Sequence, residues 1–374
     1  MRIAVDAMGG DLAPREVVRG AINYAATHAD EVLLVGDEPR LEREVDEYGH
    51  GRPASVSFVD APEVVGMGES PAAAIRRRSS SIRVATDLVR DGAADAVVSA
   101  GSTGATMAAA IFRLGRLEGI DRPALPAYFL TPSGPLVLLD VGANVDSSPH
   151  NLVQFAAMGS LYAERVLHVP SPRVALLNIG EEPEKGDALV REAYARLQAS
   201  DLRFVGNVEP HDLAGHVADV VVCDGFVGNV MVKLTEGLTS YIFRSIREDL
   251  LRGLVAPIAV LALRPGIDRL RHRFDYEQFG GAPLLGVRGV SIVTHGRAKA
   301  RMIENAIRVA SEAAAVDMPA VIADWSRRHP GLFGENSVAK AEETAATEET
   351  AATEERAAPD QTTAVPVVPV EPAS

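Results

Sequence analysis

One unit recurs along this chain: a short apolar run, a polar loop rich in glycine, and a segment with helical periodicity. The clearest copy spans residues 219–230, where Val220–Val222 and Cys223 lead into the loop 224–229. An apolar run that does not alternate with polar residues is typical of a strand buried on both faces. Repetition of strand, loop and helix predicts an α/β fold in which helices cover a large, mostly parallel sheet.

The same pattern predicts the positions of the other strands and of several helices. We expect strands at 2–6, 31–35, 55–59, around 97–98, and at 136–140, 174–178, 204–205, 220–223 and 289–294. Helices are expected from near Pro14, from Ser70 or Pro71, and over 151–167, 230–241 and 299–315. Because the carboxyl ends of parallel strands lie at one edge of a sheet, their loops should line one crevice.

Small and polar residues in these loops form the candidate ligand site. Glycines let backbone amides approach a ligand closely, while hydroxyl and amide side chains donate hydrogen bonds. The helix after the 219–230 unit would also favour an anion at its N-terminus. The candidate phosphate- or substrate-binding residues are Gly9, Gly10, Asp11, Ser99, Gly101, Ser102, Thr103, Gly104, Asn144, Asp146, Asp224, Gly225 and Gly228.

Any one of these loops could equally be an ordinary strand-to-helix turn, so the recurrence carries the argument. The set suits a phosphate held by hydrogen bonds and an oxyanion stabilised by fixed donors. The basic triplet 76–78 favours a solvated helix face over a binding site.

Several other kinds of site lack their sequence signatures. Neither GxGxxG after the first strand, nor a P-loop, nor a GxSxG elbow occurs. A single cysteine excludes an intrachain disulfide and a cysteine-based metal cluster, and the nine histidines are scattered, His150, His211 and His295 lying near loops. We therefore predict neither a metal site nor a cofactor.

Charge and hydropathy indicate an acidic, cytoplasmic protein. The net charge is -14, and residues 335–374 carry nine acidic residues against one lysine and one arginine. No dominant basic field favours nucleic acid as a partner. The first residues enter a strand pattern directly, without a signal-peptide pattern, and no apolar run is long enough to span a bilayer.

Two segments differ from the repeating units. Residues 335–374 lack aromatic residues and a core-forming pattern, which predicts a disordered acidic tail after a domain of 1–334. Residues 254–263 are ten uncharged residues followed by Arg264, Arg269, Arg271 and Arg273, within a helical tip of about 242–275. The tip is either a buried helix hairpin or an exposed apolar surface that touches a membrane or a partner.

Six motifs, in order, resemble the bacterial phosphate acyltransferases of phospholipid synthesis, the PlsX family. They are VDAMGGD (5–11), VSAGSTGA (98–105), LLDVGANVD (138–146), LLNIGEEPEKG (176–186), VVCDGFVGN (221–229) and YEQFGGAPLLG (276–286). The resemblance covers roughly 1–315. It implies a Rossmann-like α/β/α sandwich related to phosphotransacetylases, a homodimer, and transfer of a fatty acyl group from acyl carrier protein to inorganic phosphate.

By the same resemblance, the family's catalytic lysine and asparagine correspond to Lys185 and Asn229. Ser102 stands where the family usually has asparagine, and its hydroxyl still offers a donor. A thioester is already activated, so phosphate would attack it directly, and Cys223 is expected to pack in its strand. The resemblance also implies weak peripheral membrane contact through 254–273 and a downstream glycerol-3-phosphate acyltransferase as partner.

Two alternatives remain open from the sequence. One is a phosphotransacetylase that acts on short acyl-coenzyme A, since the same fold and chemistry would serve it. The other is a membrane-associated scaffold for phospholipid-synthesis enzymes, suggested by the apolar residues and arginines of the tip.

Overall fold

The computed structural model describes residues 1–131, 133–250, 266 and 276–333. Its strands are β1 (Arg2–Asp6), β2 (Glu31–Gly36), β3 (Val56–Asp60), β4 (Ala96–Ser99), β5 (Pro126–Thr131), β6 (Gly134–Leu139), β7 (Val174–Leu177), β8 (Phe204–Val208), β9 (Val220–Val222), β10 (Ala282–Pro283) and β11 (Val290–Val293). The helices are α1 (Arg15–Thr27), α2 (Glu38–Tyr48), α3 (Ala72–Arg76), α4 (Ser81–Arg90), α5 (Thr103–Ala109), α6 (Pro149–Arg165), α7 (Ala188–Gln198), α8 (Gly225–Leu250), α9 (Ala300–Ala315), α10 (Met318–Arg328) and α11 (Pro330–Phe333).

The strands form two sheets of similar construction. The first has the order β10-β11-β4-β1-β2-β3 and the second the order β5-β6-β9-β7-β8. In each sheet one edge strand, β10 or β5, is antiparallel, and the other strands are parallel. Helices flank both sheets, so the predicted α/β class is confirmed.

Division into two sheets corrects the prediction of one large sheet. The sheets are linked beside their antiparallel edge strands, where Ala124 and Leu285 exchange two backbone hydrogen bonds of 3.0 and 2.9 Å. A second isolated bridge pairs Arg116 with Val287. Apolar runs predicted buried strands correctly, but burial does not specify the neighbour with which each strand pairs. The antiparallel strand β5 was not predicted at all.

The two sheets draw on different parts of the chain. The second uses residues between Pro126 and Val222, whereas the first combines the N-terminal strands with β10 and β11. Against the first sheet, α1 and α9 share a core that includes Val18 and Ile303. Against the second, α6 contributes buried residues such as Phe155 to a separate core. The chain between β4 and β10 is therefore inserted into the first sheet.

The helix after β9 begins earlier than its sequence predicts. We expected 230–241, but α8 runs from Gly225 to Leu250, so Gly225, Gly228 and Asn229 lie in its first turns and not in a loop. Glycine has low helix propensity, which suggested the loop, but packing overrides propensity here. None of the described helices is long and apolar enough to cross a membrane. The tip residues 254–273, apart from Gly266, and the tail 335–374 lie outside the described residues.

Candidate functional site

A buried carboxyl group supports the loops at the carboxyl end of the first sheet. Asp6 ends β1 with 2% exposure, and its carboxylate accepts hydrogen bonds from the Ser99 hydroxyl at 2.7 Å and the Met8 amide at 3.3 Å. The Ser99 hydroxyl oxygen in turn accepts one from the Gly101 amide at 3.0 Å. Burial raises the pKa of Asp6, while these hydrogen bonds oppose that rise. At Gly9 a side chain would overlap the Asp6 carboxylate.

The N-terminus of α5 is left open beside these groups. Ser102 is its N-cap residue, but the Ser102 hydroxyl makes no capping hydrogen bond. Among the described residues, no group accepts a hydrogen bond from the amides of Ser102, Thr103 and Gly104. Since the first amides of a helix need external acceptors, this turn is able to bind an anion.

The remaining candidates of the first sheet, Gly10 and Asp11, lie in the loop after β1. Gly10 is half-buried, with positive φ of 108°, and Asp11 is exposed. The Asp11 amide donates to the carbonyl of Gly296 at 2.7 Å, and its carboxylate lies 3.7 Å from Nε of Arg297. Asp11 is thus a surface acid beside Gly296 and Arg297.

A second buried carboxyl group, Asp140, supports the loops of the second sheet. It directly follows β6, is fully buried, and was not among the predicted site residues. Its two oxygens accept from the amides of Leu125 (2.9 Å), Ala143 (3.2 Å) and Asn144 (2.7 Å), and from the Asn144 side chain (3.0 Å). Burial raises its pKa, and these hydrogen bonds lower it in part. Asp140 therefore fixes the loop 141–144.

The backbone amides in the first turn of α8 already donate hydrogen bonds, both to Asp224 and to the loop 141–144. The Asp224 carboxylate accepts from the amides of Phe226 and Val227, both at 3.0 Å, as an N-cap does. The Gly225 amide donates to the Asn144 carbonyl at 3.0 Å, and the Gly228 amide to the Asp224 carbonyl at 3.0 Å. The sequence predicted an anion at this helix N-terminus, but these amides already have acceptors.

Position 228 requires glycine because the backbone of α8 lies close to Asp140 there. A Cβ there would overlap the Asp140 carbonyl oxygen and lie 3.0 Å from Sγ of Cys223. Gly228 is buried, as is Gly225. Both glycines thus allow α8 to start directly against the loop after β6.

The other two candidates of the second sheet differ in accessibility. Asn144 is 6% exposed, and its side-chain amide donates both to the Pro123 carbonyl at 2.8 Å and to Asp140. Both of its hydrogens are therefore used within the protein. Asp146 is exposed on the same loop.

Lys185 lies on a loop shaped by a buried asparagine. Asn178 follows β7 and is 7% exposed; its amide donates to the Lys185 carbonyl at 3.1 Å and its oxygen accepts from the Ile179 amide at 2.8 Å. The Lys185 side chain is 48% exposed, and its ammonium lies 4.0 Å from the Glu182 carboxylate. An exposed pair at this distance contributes little to stability and leaves the ammonium available to a ligand.

Asn229 and Lys185 follow neighbouring strands. Asn229 is exposed in the first turns of α8, after β9, and its side chain is the nearest group to the position that a Cβ on Gly142 would take. Because β9 lies between β6 and β7, the loops that carry Gly142 and Lys185 and the first turns of α8, which carry Asn229, share one edge of the second sheet.

One loop of the second sheet contacts the helix that follows β4 of the first sheet. Ala143, in the loop after β6, packs against a cluster that includes Ala110 and Leu114, in the helical turn that continues α5. The contact therefore joins the loop after β6 to the C-terminal end of α5 and not to its open first turn.

Cys223 is buried, as predicted. Its side chain is 4% exposed, its Sγ lies 3.5 Å from the Asp140 carbonyl oxygen, and burial raises the pKa of the thiol well above its usual range. In the part of the chain that the structure describes, no cluster of three or more histidine, cysteine or acidic residues could hold a metal ion.

Three polar residues of the site were missed from the sequence: Asp6, Asp140 and Asn178. Each directly ends or follows an apolar run that forms a buried strand. A polar residue at the carboxyl end of such a run is a usable signal, because it must find partners in a buried position.

Comparison with known proteins assigns the family. The model of a family described as "Fatty acid synthesis protein" matches residues 1–321. The chain belongs to this family. It is 50% identical over 313 residues to a protein named "Phosphate acyltransferase" from Pelotomaculum thermopropionicum, covering 83% of this chain and 91% of that protein. A "Phosphate acyltransferase" from Desulforamulus reducens is 51% identical over 315 residues, covering 83% and 93%.

Solved structures show the same fold at low sequence identity. A phosphotransacetylase from Streptococcus pyogenes matches with a TM-score of 0.59 and 18% identity, covering 84% of this chain and 94% of that one. A branched-chain phosphotransacylase from Enterococcus faecalis matches with a TM-score of 0.52 and 15% identity, covering 84% and 99%. Both solved structures therefore share the fold of this chain.

Proposed function

We propose that this chain, a phosphate acyltransferase by its family and its curated relatives, takes a long-chain acyl group from acyl carrier protein. Inorganic phosphate is the acceptor and acyl phosphate the product, which supplies phospholipid synthesis. The observation that carries the proposal is the open first turn of α5, beside the loop after β1, in a chain that belongs to this family.

Phosphate binds at the first turn of α5 in this proposal. The amides of Ser102, Thr103 and Gly104 supply donors, and the partial positive charge of a helix N-terminus favours a dianion. Gly9 keeps the neighbouring backbone close, and the Ser102 hydroxyl adds a donor. The capped N-terminus of α8 is not assigned to phosphate.

Lys185 and Asn229 act on the reacting groups. The Lys185 ammonium neutralises charge on phosphate or on the oxyanion that develops when phosphate attacks the acyl carbonyl. The Asn229 side-chain amide donates to that carbonyl oxygen. Donors fixed in advance stabilise the transition state without reorganisation during the reaction.

Phosphate attacks the thioester directly, and no acyl enzyme forms. The new bond joins a phosphate oxygen to the acyl carbon, the carbon–sulfur bond breaks, and the carrier's thiolate leaves. Cys223 supports this route because its thiol is buried and its raised pKa keeps it protonated. A Cys223→Ser variant should keep its turnover.

The test measures phosphate-dependent release of free thiol from palmitoyl-acyl carrier protein. Lys185→Ala and Asn229→Ala should each lower turnover by about 10²-fold or more, the size expected for losing a transition-state donor. Lys233→Ala, which removes another exposed lysine, is the matched control and should keep full turnover. Normal turnover in both site variants would remove these residues from the mechanism.

Parallel assays separate the alternatives. Turnover on palmitoyl-coenzyme A or acetyl-coenzyme A, with none on the carrier-bound thioester, would indicate a phosphotransacetylase. Absence of acyl phosphate with every donor would leave the scaffold role.

We also propose a homodimer formed through α8. Among the side chains of α8 that the structure describes, six large apolar ones are 50% or more exposed and recur at intervals of three or four residues: Phe226, Val230, Leu234, Leu238, and the adjacent pair Tyr241 and Ile242. An apolar stripe of this length on a helix is typical of an interface. A second copy would present the same stripe, as a two-fold interface requires.

Sedimentation measurements test the dimer. Leu234→Glu with Leu238→Glu should convert a dimer into a folded monomer, whereas Ser240→Glu, exposed on another side of α8, should not. If the double variant keeps its mass but loses stability, the stripe packs within its own chain.

The remaining expectations concern location. We propose a cytoplasmic protein with weak peripheral membrane contact through 254–273 and a downstream glycerol-3-phosphate acyltransferase as partner. Replacing Leu254 and Leu261 with glutamate should abolish sedimentation with anionic vesicles and keep turnover on soluble substrate. Unchanged sedimentation would exclude this contact.

A further inference from the structure

A large cleft lies apart from the candidate site. It has a volume of about 600 Å³ and is bounded by β5, the second halves of α6 and α9, and the short 3-10 helix Tyr276–Phe279. This volume lies within the usual range for small-molecule sites. None of the candidate site residues lines it. The ends of α6 and α9 lie far along the chain from the loops with which these helices begin.

Its walls are largely apolar and aromatic. The ring of Tyr128 lies between those of Phe279 and Tyr162, with centroid distances of 5.0 and 5.9 Å. Val166, directly after α6, and Val309, on α9, are both buried and continue the wall. Burial raises the pKa of both tyrosines, so both remain uncharged at neutral pH. Such a surface favours hydrocarbon.

Among the described residues, one arginine that lines the cleft has no carboxylate partner. Arg308 pairs with Glu312 at 2.7 Å and also donates to the Gln278 carbonyl at 3.3 Å. Arg165 is exposed at the end of α6 and forms no ion pair with any described residue; nearby, His168 adds a ring nitrogen. An unpaired arginine beside an apolar wall favours an anion at one end of an otherwise apolar ligand.

We propose that this cleft binds an anionic amphiphile: a long alkyl chain with one terminal carboxylate or phosphate. The chain lies against Tyr128, Tyr162 and Phe279, and the anionic group lies at Arg165. The site is separate from the acyl-transfer site and does not depend on its chemistry.

Calorimetric titration with sodium palmitate, below its aggregation concentration, tests the proposal. One ligand per chain should bind, and hexadecyl phosphate, compared in a second arm, reveals which head group is preferred. Hexadecyltrimethylammonium has the same alkyl chain with a cationic head and should bind at least about fivefold more weakly, the factor that corresponds to about 1 kcal/mol.

Three variants locate the binding. Arg165→Glu should weaken palmitate binding at least about fivefold, and Ala315→Trp, which fills the cleft from an exposed position, at least about tenfold. Arg43→Glu, an exposed arginine on α2, is the charge control and should bind as the wild type does. Lys185→Ala should also bind palmitate normally, because it changes only the acyl-transfer site.

Several results would overturn the proposal. They are absence of saturable palmitate binding, loss of binding in Lys185→Ala, and equal affinity for the cationic amphiphile. Unchanged binding in Arg165→Glu would do the same, and that variant remains informative if Ala315→Trp fails to fold. Conversion of a dimer to a monomer by Ala315→Trp, with unchanged palmitate affinity, would assign the cleft to a second copy.

Discussion

The N-termini of α5 and α8 follow the same local sequence pattern and reach opposite hydrogen-bonding states. Each follows a buried strand, has a glycine at its start (Gly101 just before the N-cap of α5, Gly225 as the first residue of α8), and lies near a buried aspartate, Asp6 or Asp140. At α8 the Asp224 carboxylate and neighbouring carbonyls accept from the first amides, whereas at α5 the Ser102 side chain caps nothing. A helix N-terminus is therefore an anion site only where its own chain leaves the amides free.

The largest effect should come from adding a side chain at Gly228, where α8 packs against the Asp140 carbonyl group. Gly228→Ala should destabilise the protein by about 3 kcal/mol or more, because the new methyl group overlaps the Asp140 carbonyl oxygen. Ser240→Ala, exposed on the side of α8 away from the apolar stripe, should leave stability within about 0.5 kcal/mol of the wild type. Urea denaturation measures both. Equal stability of the two variants would show that α8 is not pressed against the loop.

Closing the open turn should abolish much of its affinity for phosphate. Ser102→Asp places a carboxylate where it accepts from the first amides of α5, so the Michaelis constant for phosphate should rise roughly 10- to 100-fold. Asp224→Asn is the control, since asparagine caps as well as aspartate, and should leave that constant unchanged. A larger rise in Asp224→Asn would move the phosphate to α8.

The buried carboxyl group under α8 should make stability depend on pH. Its raised pKa means that the folded state retains a proton that the unfolded state releases above about 3.8. The contribution of Asp140 is therefore complete below that pH and falls as pH rises through the folded-state pKa. The stability difference between wild type and Asp140→Asn should shrink over this interval in denaturation series. A difference that grows with pH would contradict the raised pKa.

The smallest effect on stability should come from removing the side chains at the N-cap positions of α8 and α5. Asp224→Ala should cost about 1 kcal/mol of stability, because two amides of α8 lose their acceptor. Ser102→Ala should cost close to nothing, since its hydroxyl makes no capping bond. Thermal unfolding compares the two variants, and a similar cost for both would mean that Ser102 caps α5 in solution.

Uninterrupted apolar runs made most of the fold predictable. β1 has the bounds expected for it, and α9 begins one residue after its predicted start. Sheet membership could not be predicted, since a valine run reports burial but not its pairing partner. The early start of α8 was missed for a related reason. In the sequence, Gly225 and Gly228 are typical of a loop, whereas in the structure they are glycines because the neighbouring loop occupies the space that their side chains would need.

The sequence predicted which loops form the candidate site, but not which of their residues are free to bind a ligand and which only hold the loops in place. Asn144 resembles a ligand donor in sequence, yet both hydrogens of its amide bind within the protein. Asn178 shapes the loop that carries Lys185, and Asp140 fixes the loop that lies beside Asn229. The importance of both follows from the groups hydrogen-bonded to them. Such partners come from distant segments, which no local pattern contains.

Insertion of the second sheet into the first has a consequence for synthesis on the ribosome. The outer edge of β4 pairs with β11, which emerges only after the whole second sheet has been made. At about 5–20 residues per second, that interval lasts roughly ten seconds or more. The second sheet is contiguous and is able to form meanwhile, whereas β4 keeps an unpaired edge throughout. Nascent chains stalled before Val290 should therefore be the form of this protein that most needs a chaperone.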